Sequence, residues 1–436
     1  MAWPNHVLNV GPVPLLMTDE VEQDKYRRHI EPWLSALFQS EHLALLAGSG
    51  LTVAVSDTIG QTAKVMATTK FKWPISEKLP AADADTLDRR INAYATATAN
   101  RIGRGTPNIE DQIRAATDLL TGLAILADDR AEAVRDALNG VLREFLAELI
   151  ATEARIRAEI ANKTEKAQEA QRLLISFLLS FASRVASRER LNIFTTNYDR
   201  LIEYGCDMAG LRIIDRFVGT IAPLLRSTRV DIDFHYNPPG IRGEPRYLEG
   251  VVRLTKLHGS LDWRADGGEV QRVGISFGAS ADEANFPKDP LSRVMIYPNP
   301  AKDVETVDYP YAELFRDFSA ATCRPNSTLV TYGYGFGDDH LNRVIEHMMS
   351  LPSTHLVIIS FDGASGRIER FFERVGRPAQ ISLLIGSHFG ALATLVEKYL
   401  PKPAIDRITF KMAELRARRG AAGAGNTEVG TNDDAD

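Results

Sequence analysis

The sequence predicts an α/β fold: a parallel sheet with helices on both faces, plus a helical insertion. Three observations carry this. Short apolar runs recur along the chain that are continuous rather than alternating, and each stops at glycine or a polar cluster. Such runs suit strands buried on both faces of a parallel sheet. Helical periodicity fills the gaps between several of them. From about Asp83 to Arg190 the composition shifts to Ala, Leu, Glu, Arg and Gln, with Pro107 the single proline.

Taken in order, Asp24 to Phe38 is amphipathic, with Tyr26, Ile30, Trp33, Leu34 and Leu37 near helical spacing. The run His42 to Ala47 reads as the first core strand and stops at Gly48-Ser-Gly50. In the helical block, Leu119, Leu120, Leu123, Ile125 and Leu126, then Val141, Leu142, Phe145, Leu146 and Leu149, recur at intervals of three and four. The stretch Arg155 to Arg172 is very polar and reads as a solvated face or a partner surface. Strands follow at Leu191 to Thr195, Val251 to Leu257, Thr328 to Tyr332, His355 to Phe361 and Ile381 to Ile385. Helices are expected over Leu341 to Met349 and Ile368 to Val375, and loops with short strands over Asp215 to Pro300. The Gly-Ala-rich, then Asp-rich tail from about Arg418 has the composition of a disordered segment.

Composition narrows the function classes. Hydrophobic residues at 44% and charged residues at 25% are ordinary for a globular protein. A formal charge of -6 without a long basic run argues against nucleic-acid binding by this chain alone. The two cysteines, Cys206 and Cys323, cannot form a disulfide framework or a zinc site of several thiolates. Met1 to Val10 lacks the basic-then-apolar pattern of a signal peptide, and no apolar run approaches the roughly 20 residues of a membrane span. The expectation is a soluble cytoplasmic protein with no membrane contact.

In an open parallel sheet, ligands bind beyond the carboxyl ends of the strands. Four such ends carry unusual polar clusters. Gly48, Ser49, Gly50 and Thr52 allow close backbone approach to an anion before a helix, or form a structural turn. In Thr195-Thr196-Asn197-Tyr198-Asp199, the amide of Asn197 suits a water or ribose hydroxyl and Asp199 can accept from a carboxamide. The alternative for that pair is a helix cap. His258 stands at a strand end before a glycine, where an imidazole can take a proton near neutrality or serve a structural purpose. Gly333-Tyr-Gly335-Phe-Gly-Asp338-Asp339 either passes close to a nucleotide or caps the next helix. His340 and His347 are expected to face the surface or a partner, and no metal ligand is assigned.

These four clusters, in this order, resemble the sirtuin family, and especially its bacterial branch of antiviral NAD-hydrolysing proteins. Gly48-Ser-Gly-Leu-Thr52 is similar to the family's Gly-Ala-Gly-x-Ser loop, with Ser49 and Thr52 as departures. Thr195-Thr-Asn-Tyr-Asp199 matches the form of the defence branch, Lys256-Leu-His-Gly-Ser260 resembles the catalytic-histidine segment, and Gly333-Tyr-Gly-Phe-Gly-Asp338 is similar to Gly-Tyr-Ser-Phe-Gly-Asp. Ile296-Tyr-Pro-Asn-Pro300 and Tyr311 to Arg316 extend the likeness to the sirtuin-like subunit that partners a HerA-type hexameric ATPase.

The resemblance implies a Rossmann-like core. It implies NAD as substrate, Asn197 and His258 as catalytic residues, and Gly48, Ser49, Gly50, Thr52, Thr196, Asp199, Gly333 and Gly335 around the cofactor. Without the family's four-cysteine module, it implies an NAD glycohydrolase more than a protein deacylase, with no zinc expected; the other alternative is a non-catalytic NAD-binding scaffold subunit whose partner performs the chemistry. It further implies a homo-oligomer acting with the ATPase. The expected division is 1–82 and 191–400 as the core, 83–190 as a helical insertion or lid, and 401–436 as an extension.

Overall fold

A computed structural model describes residues 3–11, 13–20, 25–63, 71–101, 107, 109–184, 188–227, 232–236, 246–266, 268–296 and 309–402. The Tyr-Pro-Asn-Pro part of the 296–300 segment and nearly all of the C-terminal extension lie outside these residues. The large sheet has nine strands. In chain order they are β1 His6–Val10, β2 Val13–Thr18, β3 His42–Ala47, β4 Leu191–Thr195, β5 Arg212–Ile214, β6 Val251–Lys256, β7 Ser327–Tyr332, β8 His355–Ser360 and β9 Ile381–Ile385. Their order across the sheet is β2-β1-β9-β8-β7-β3-β4-β6-β5.

From β9 to β5 every pairing is parallel, while the β1–β2 hairpin adds antiparallel to β9. The expected Rossmann-like α/β architecture is thus observed. The strands read from their apolar runs are central ones whose residues are almost wholly buried. β5 was not foreseen, because three residues at a sheet edge carry too little pattern. The register sets the site: Ala47 pairs with both Thr195 and Tyr332, and Thr195 pairs with Lys256. The residues after β3, β4, β6 and β7 therefore emerge side by side along one edge.

Helices cover both faces. α1 Arg27–Phe38, α2 Gly50–Ile59 and α7 Leu201–Ala209 join one core, and α8 Tyr311–Thr322, α9 Asp339–Met349 and α10 Arg367–Val375 join the other. The helical block comprises α3 Ala81–Arg101, α4 Ile109–Ile125, α5 Arg130–Ala161 and α6 Glu165–Ala182. It does not pack as one unit. Ile91, Ile113, Leu120, Val134, Leu138 and Val141 from the first three helices form a cluster of their own. α6 instead buries Leu173, Leu174, Phe177, Leu178 and Phe181 in the sheet core. Phe177 meets Tyr332 of β7 with ring centroids 4.9 Å apart. The polar stretch 155–172 is also not uniformly solvated, since Ile156, Ala167 and Ala170 are buried.

A small antiparallel sheet, built from 294–296, 259–266, 269–272, 224–225 and 217–218, follows directly from β6. The hinge is Gly259. Its φ is +82°, and a Cβ there would collide with the carbonyl oxygen of Met295, so glycine alone fits. Among the described residues, no helix is long and apolar enough to cross a membrane. If α6 belongs to the sheet core, Phe177→Ala should lower unfolding stability by about 3–5 kcal/mol, as for a buried aromatic. A denaturant titration giving a change near zero would contradict this packing.

Candidate functional site

At the carboxyl edge of the sheet the sequence-predicted residues come together. Asn197 lies two residues beyond Thr195 and His258 two beyond Lys256, and those two end residues are paired. The loops stay in register past the strands, with Leu257 N–H donating to the Thr195 carbonyl at 2.9 Å and Leu261 N–H to the Tyr198 carbonyl at 3.1 Å. Asn197 is 6% exposed and His258 3%. Both are polar groups held out of bulk water, where a positioned dipole or base acts most strongly.

A buried hydrogen-bond chain fixes Asn197. Its backbone N–H donates to Thr195 Oγ1 at 3.0 Å, and Thr195 Oγ1 donates to the Ala47 carbonyl at 2.8 Å. Its Nδ2 donates to the Gly48 carbonyl at 3.0 Å and to Thr52 Oγ1 at 3.2 Å. With both amide donors used, the group Asn197 can offer a ligand is its acceptor, Oδ1. Thr52 Oγ1 donates its own hydrogen bond to Asp199 Oδ2 at 2.8 Å. Asp199 Oδ1 accepts from Leu201 N–H at 3.1 Å, at the start of α7. This contact ties Asp199 to the entry of α7, whose N-cap residue is Arg200. Thr52 and Asp199 together brace Asn197.

The glycines of the first and fourth clusters press on each other. A Cβ on Gly50 would lie 2.5 Å from Gly333 Cα, and one on Gly333 would lie 2.6 Å from Gly50 Cα. Gly48 N–H donates to the Tyr332 carbonyl at 3.0 Å, and Gly50 N–H to the Gly333 carbonyl at 3.1 Å. These two amides are spent on the neighbouring loop. α2 begins at Gly50 and takes in Thr52, rather than beginning after it. The Ser49 side chain is exposed at the α2 N-terminus, and Thr196 is half-buried beside it, its N–H 3.4 Å from the Ala47 carbonyl. The Gly335 carbonyl accepts from Arg367 Nε at 2.5 Å. The Tyr334 hydroxyl donates to Asn342 Oδ1 at 3.1 Å, and Asn342 Nδ2 to the Phe336 carbonyl at 3.1 Å, tying this loop to α9.

Two expectations are corrected. His340, expected at the surface or against a partner, is half-buried: its ring lies 6.1 Å from that of His258 and meets Phe315 edge-on at 4.3 Å. Asp338, expected as a helix cap, makes no side-chain cap bond, and its Oδ2 sits 3.9 Å from His258 Nε2. That separation exceeds a hydrogen bond but leaves a carboxylate near any charge on the imidazole. Asp338 and His340 were missed as site residues because a helix start gives no periodic signal for what its first residues face.

The helical block reaches the site through α5. Phe145 packs on Tyr198 at 5.9 Å, and Tyr198 lies 6.2 Å from His258. Glu153, 1% exposed, accepts from Arg200 through the backbone N–H at 2.8 Å, Nε at 3.3 Å and Nη2 at 2.5 Å. Burial pushes the Glu153 carboxyl up to about 7, against the pull of these bonds. Burial opposes charge on Arg200 too, but the bonds from Glu153 hold its pKa above the ordinary value. A sequence signal for Glu153 existed: it continues the apolar face of Leu149, Ile150 and Ile156. Lys256 Nζ, 4% exposed, donates to the Asp199 carbonyl and to Glu203 Oε1, the latter at 2.9 Å. A cavity of about 670 Å³ lies beside β5 and β6, lined by Arg200, Glu203, Lys256, Asp262 and Trp263 among others. None of the catalytic or cofactor-binding residues expected from the sequence lines it.

Residues 191–376 match a family described as SIR2-like domain, which supports placing the chain in the sirtuin-like superfamily. The matched span includes Asn197, Asp199, His258 and the Gly333 loop, and leaves out β3 and the Gly48 loop. No curated protein matches the chain.

Two predictions follow from the braces. Thr52→Val keeps the shape but removes the hydroxyl linking Asn197 to Asp199, and should cost about 1–3 kcal/mol in unfolding stability. Because the folded pKa of Glu153 lies near 7 against 4.5 for the free group, its contribution to stability is full below 4.5 and lost as pH rises through 7. Urea unfolding across that window should show the decline in the wild-type chain and a flatter profile in Glu153→Gln.

Proposed function

We propose that this chain is an NAD glycohydrolase that cleaves NAD with water to nicotinamide and ADP-ribose. The observation that carries the reading is the placement of Asn197 and His258, both nearly buried, at neighbouring strand ends inside the SIR2-like span. Breaking the bond between nicotinamide and C1′ of ribose spreads positive charge onto the sugar in an oxocarbenium-like transition state. The pyridinium leaves neutral, so no strong acid is required. The protein has to orient the ribose, keep bulk water away and receive a proton.

Asn197 suits the first task. Its amide is held by the Gly48 carbonyl and Thr52, which aims an acceptor without conformational search. His258 suits the last, taking a proton from a ribose hydroxyl or water, while the Asp338 carboxylate at 3.9 Å favours the resulting imidazolium. The acidic cavity-side groups and the glycine contacts then act as scaffold. In this reading the chain is an antiphage-defence subunit that depletes NAD together with a HerA-type hexameric ATPase. The motif forms at 195–199 and 333–338 support that finer assignment.

His258→Ala and Asn197→Ala should each reduce NAD cleavage by about 10²- to 10⁴-fold, the range for a positioned acid–base or orienting group. Circular dichroism should stay native. The purified chain is incubated with NAD, with and without the ATPase, and the products are separated. Undiminished turnover in His258→Ala would reject the assigned role, and O-acetyl-ADP-ribose formed from an acetylated peptide would favour deacylation instead.

A further inference from the structure

We propose that His258, Asp338 and His340 form a binding site for a divalent transition-metal ion, with zinc the best-suited probe. One ligand atom from each lies within 4.8 Å of those of the other two. The measured pair, His258 Nε2 and Asp338 Oδ2, is 3.9 Å apart. Ligands bound to zinc at about 2.0–2.2 Å in tetrahedral geometry stand roughly 3.4 Å from one another. The His258–Asp338 pair is about half an ångström from that spacing, and all three groups lie close enough for side-chain adjustment to close on an ion.

The chemistry of the set fits. Two imidazoles and one carboxylate are borderline donors that favour zinc and its neighbours over magnesium or calcium, which prefer all-oxygen shells. Three protein ligands leave at least one position for water. The rings are also held in place. Phe315 meets His340 edge-on at 4.3 Å, Tyr198 flanks His258, and His340 Nε2 is a buried atom. This site uses no thiolate, so the absence of a four-cysteine module in the sequence does not bear on it.

The consequence for catalysis rests on the function proposed above. Metal binding occupies the His258 lone pair that would accept the proton, so the bound ion is an inhibitor of NAD cleavage and its removal restores the base. Such a site would give a NAD-consuming chain an off state set by metal availability.

The test separates the two claims. Full-length protein, stripped with a chelator, is dialysed against buffered Zn²⁺, and bound metal is counted. About one Zn²⁺ per chain is expected, with affinity weakened at least tenfold in Asp338→Asn and in His340→Gln. Zn²⁺ should also raise the melting temperature of the wild type more than that of either variant. No stoichiometric binding, or binding that both variants retain unchanged, overturns the site whether or not the chain cleaves NAD. In the activity arm, Zn²⁺ should suppress NAD cleavage and EDTA restore it, and the ratio of rates with and without Zn²⁺ should return to one in His340→Gln. Wild-type cleavage that is indifferent to a bound Zn²⁺ overturns the inhibitory role.

Discussion

The backbone of Gly333 rests directly on the backbone of Gly48 and Gly50, and the geometry of the site depends on that contact. No Cβ fits between them, so the loops after β3 and β7 approach more closely than side chains would permit. The hydrogen bond from Gly50 N–H to the Gly333 carbonyl locks the approach. With the first loop fixed, the Gly48 carbonyl stands where it accepts from Asn197. With the fourth loop fixed, Asp338 and His340 stand beside His258. Both glycine pairs thus act on the reactive groups at one remove.

Around this contact, polar groups are satisfied in a chain rather than singly. Ala47, Thr195, Asn197, Gly48, Thr52, Asp199 and Leu201 join four elements, β3, β4, α2 and α7, through successive bonds between 2.8 and 3.2 Å. In a buried setting each member orients the next, and an unpaired group is costly, so such a network holds one arrangement. The result is preorganisation: the amide of Asn197 is set before any ligand arrives.

The helical block bears on this network from outside the sheet. α5 delivers Glu153 to Arg200 and Phe145 to Tyr198, one residue on each side of Asp199. Movement of α5 would therefore act on the two neighbours of the brace that holds Asn197. α6 is bound into the sheet core by five large side chains. The piece of the block that retains an independent core is α3, α4 and the first half of α5.

The sequence by itself determined the central strands, because a parallel strand buried on both faces must be apolar throughout, and that pattern is readable without partners. It also determined that Asn197 and His258 emerge at strand ends. It could not determine which backbone fills the space beside Gly48 and Gly50, since a glycine records an absence of side chain and not the identity of what approaches. Nor could helical periodicity separate α6 from α3 to α5, because an apolar face shows only that something covers it. The placement of His340 and Asp338 against His258 was decided by tertiary structure alone: residues more than 75 positions apart in the chain meet only when the sheet order puts β7 and β6 on either side of β3 and β4.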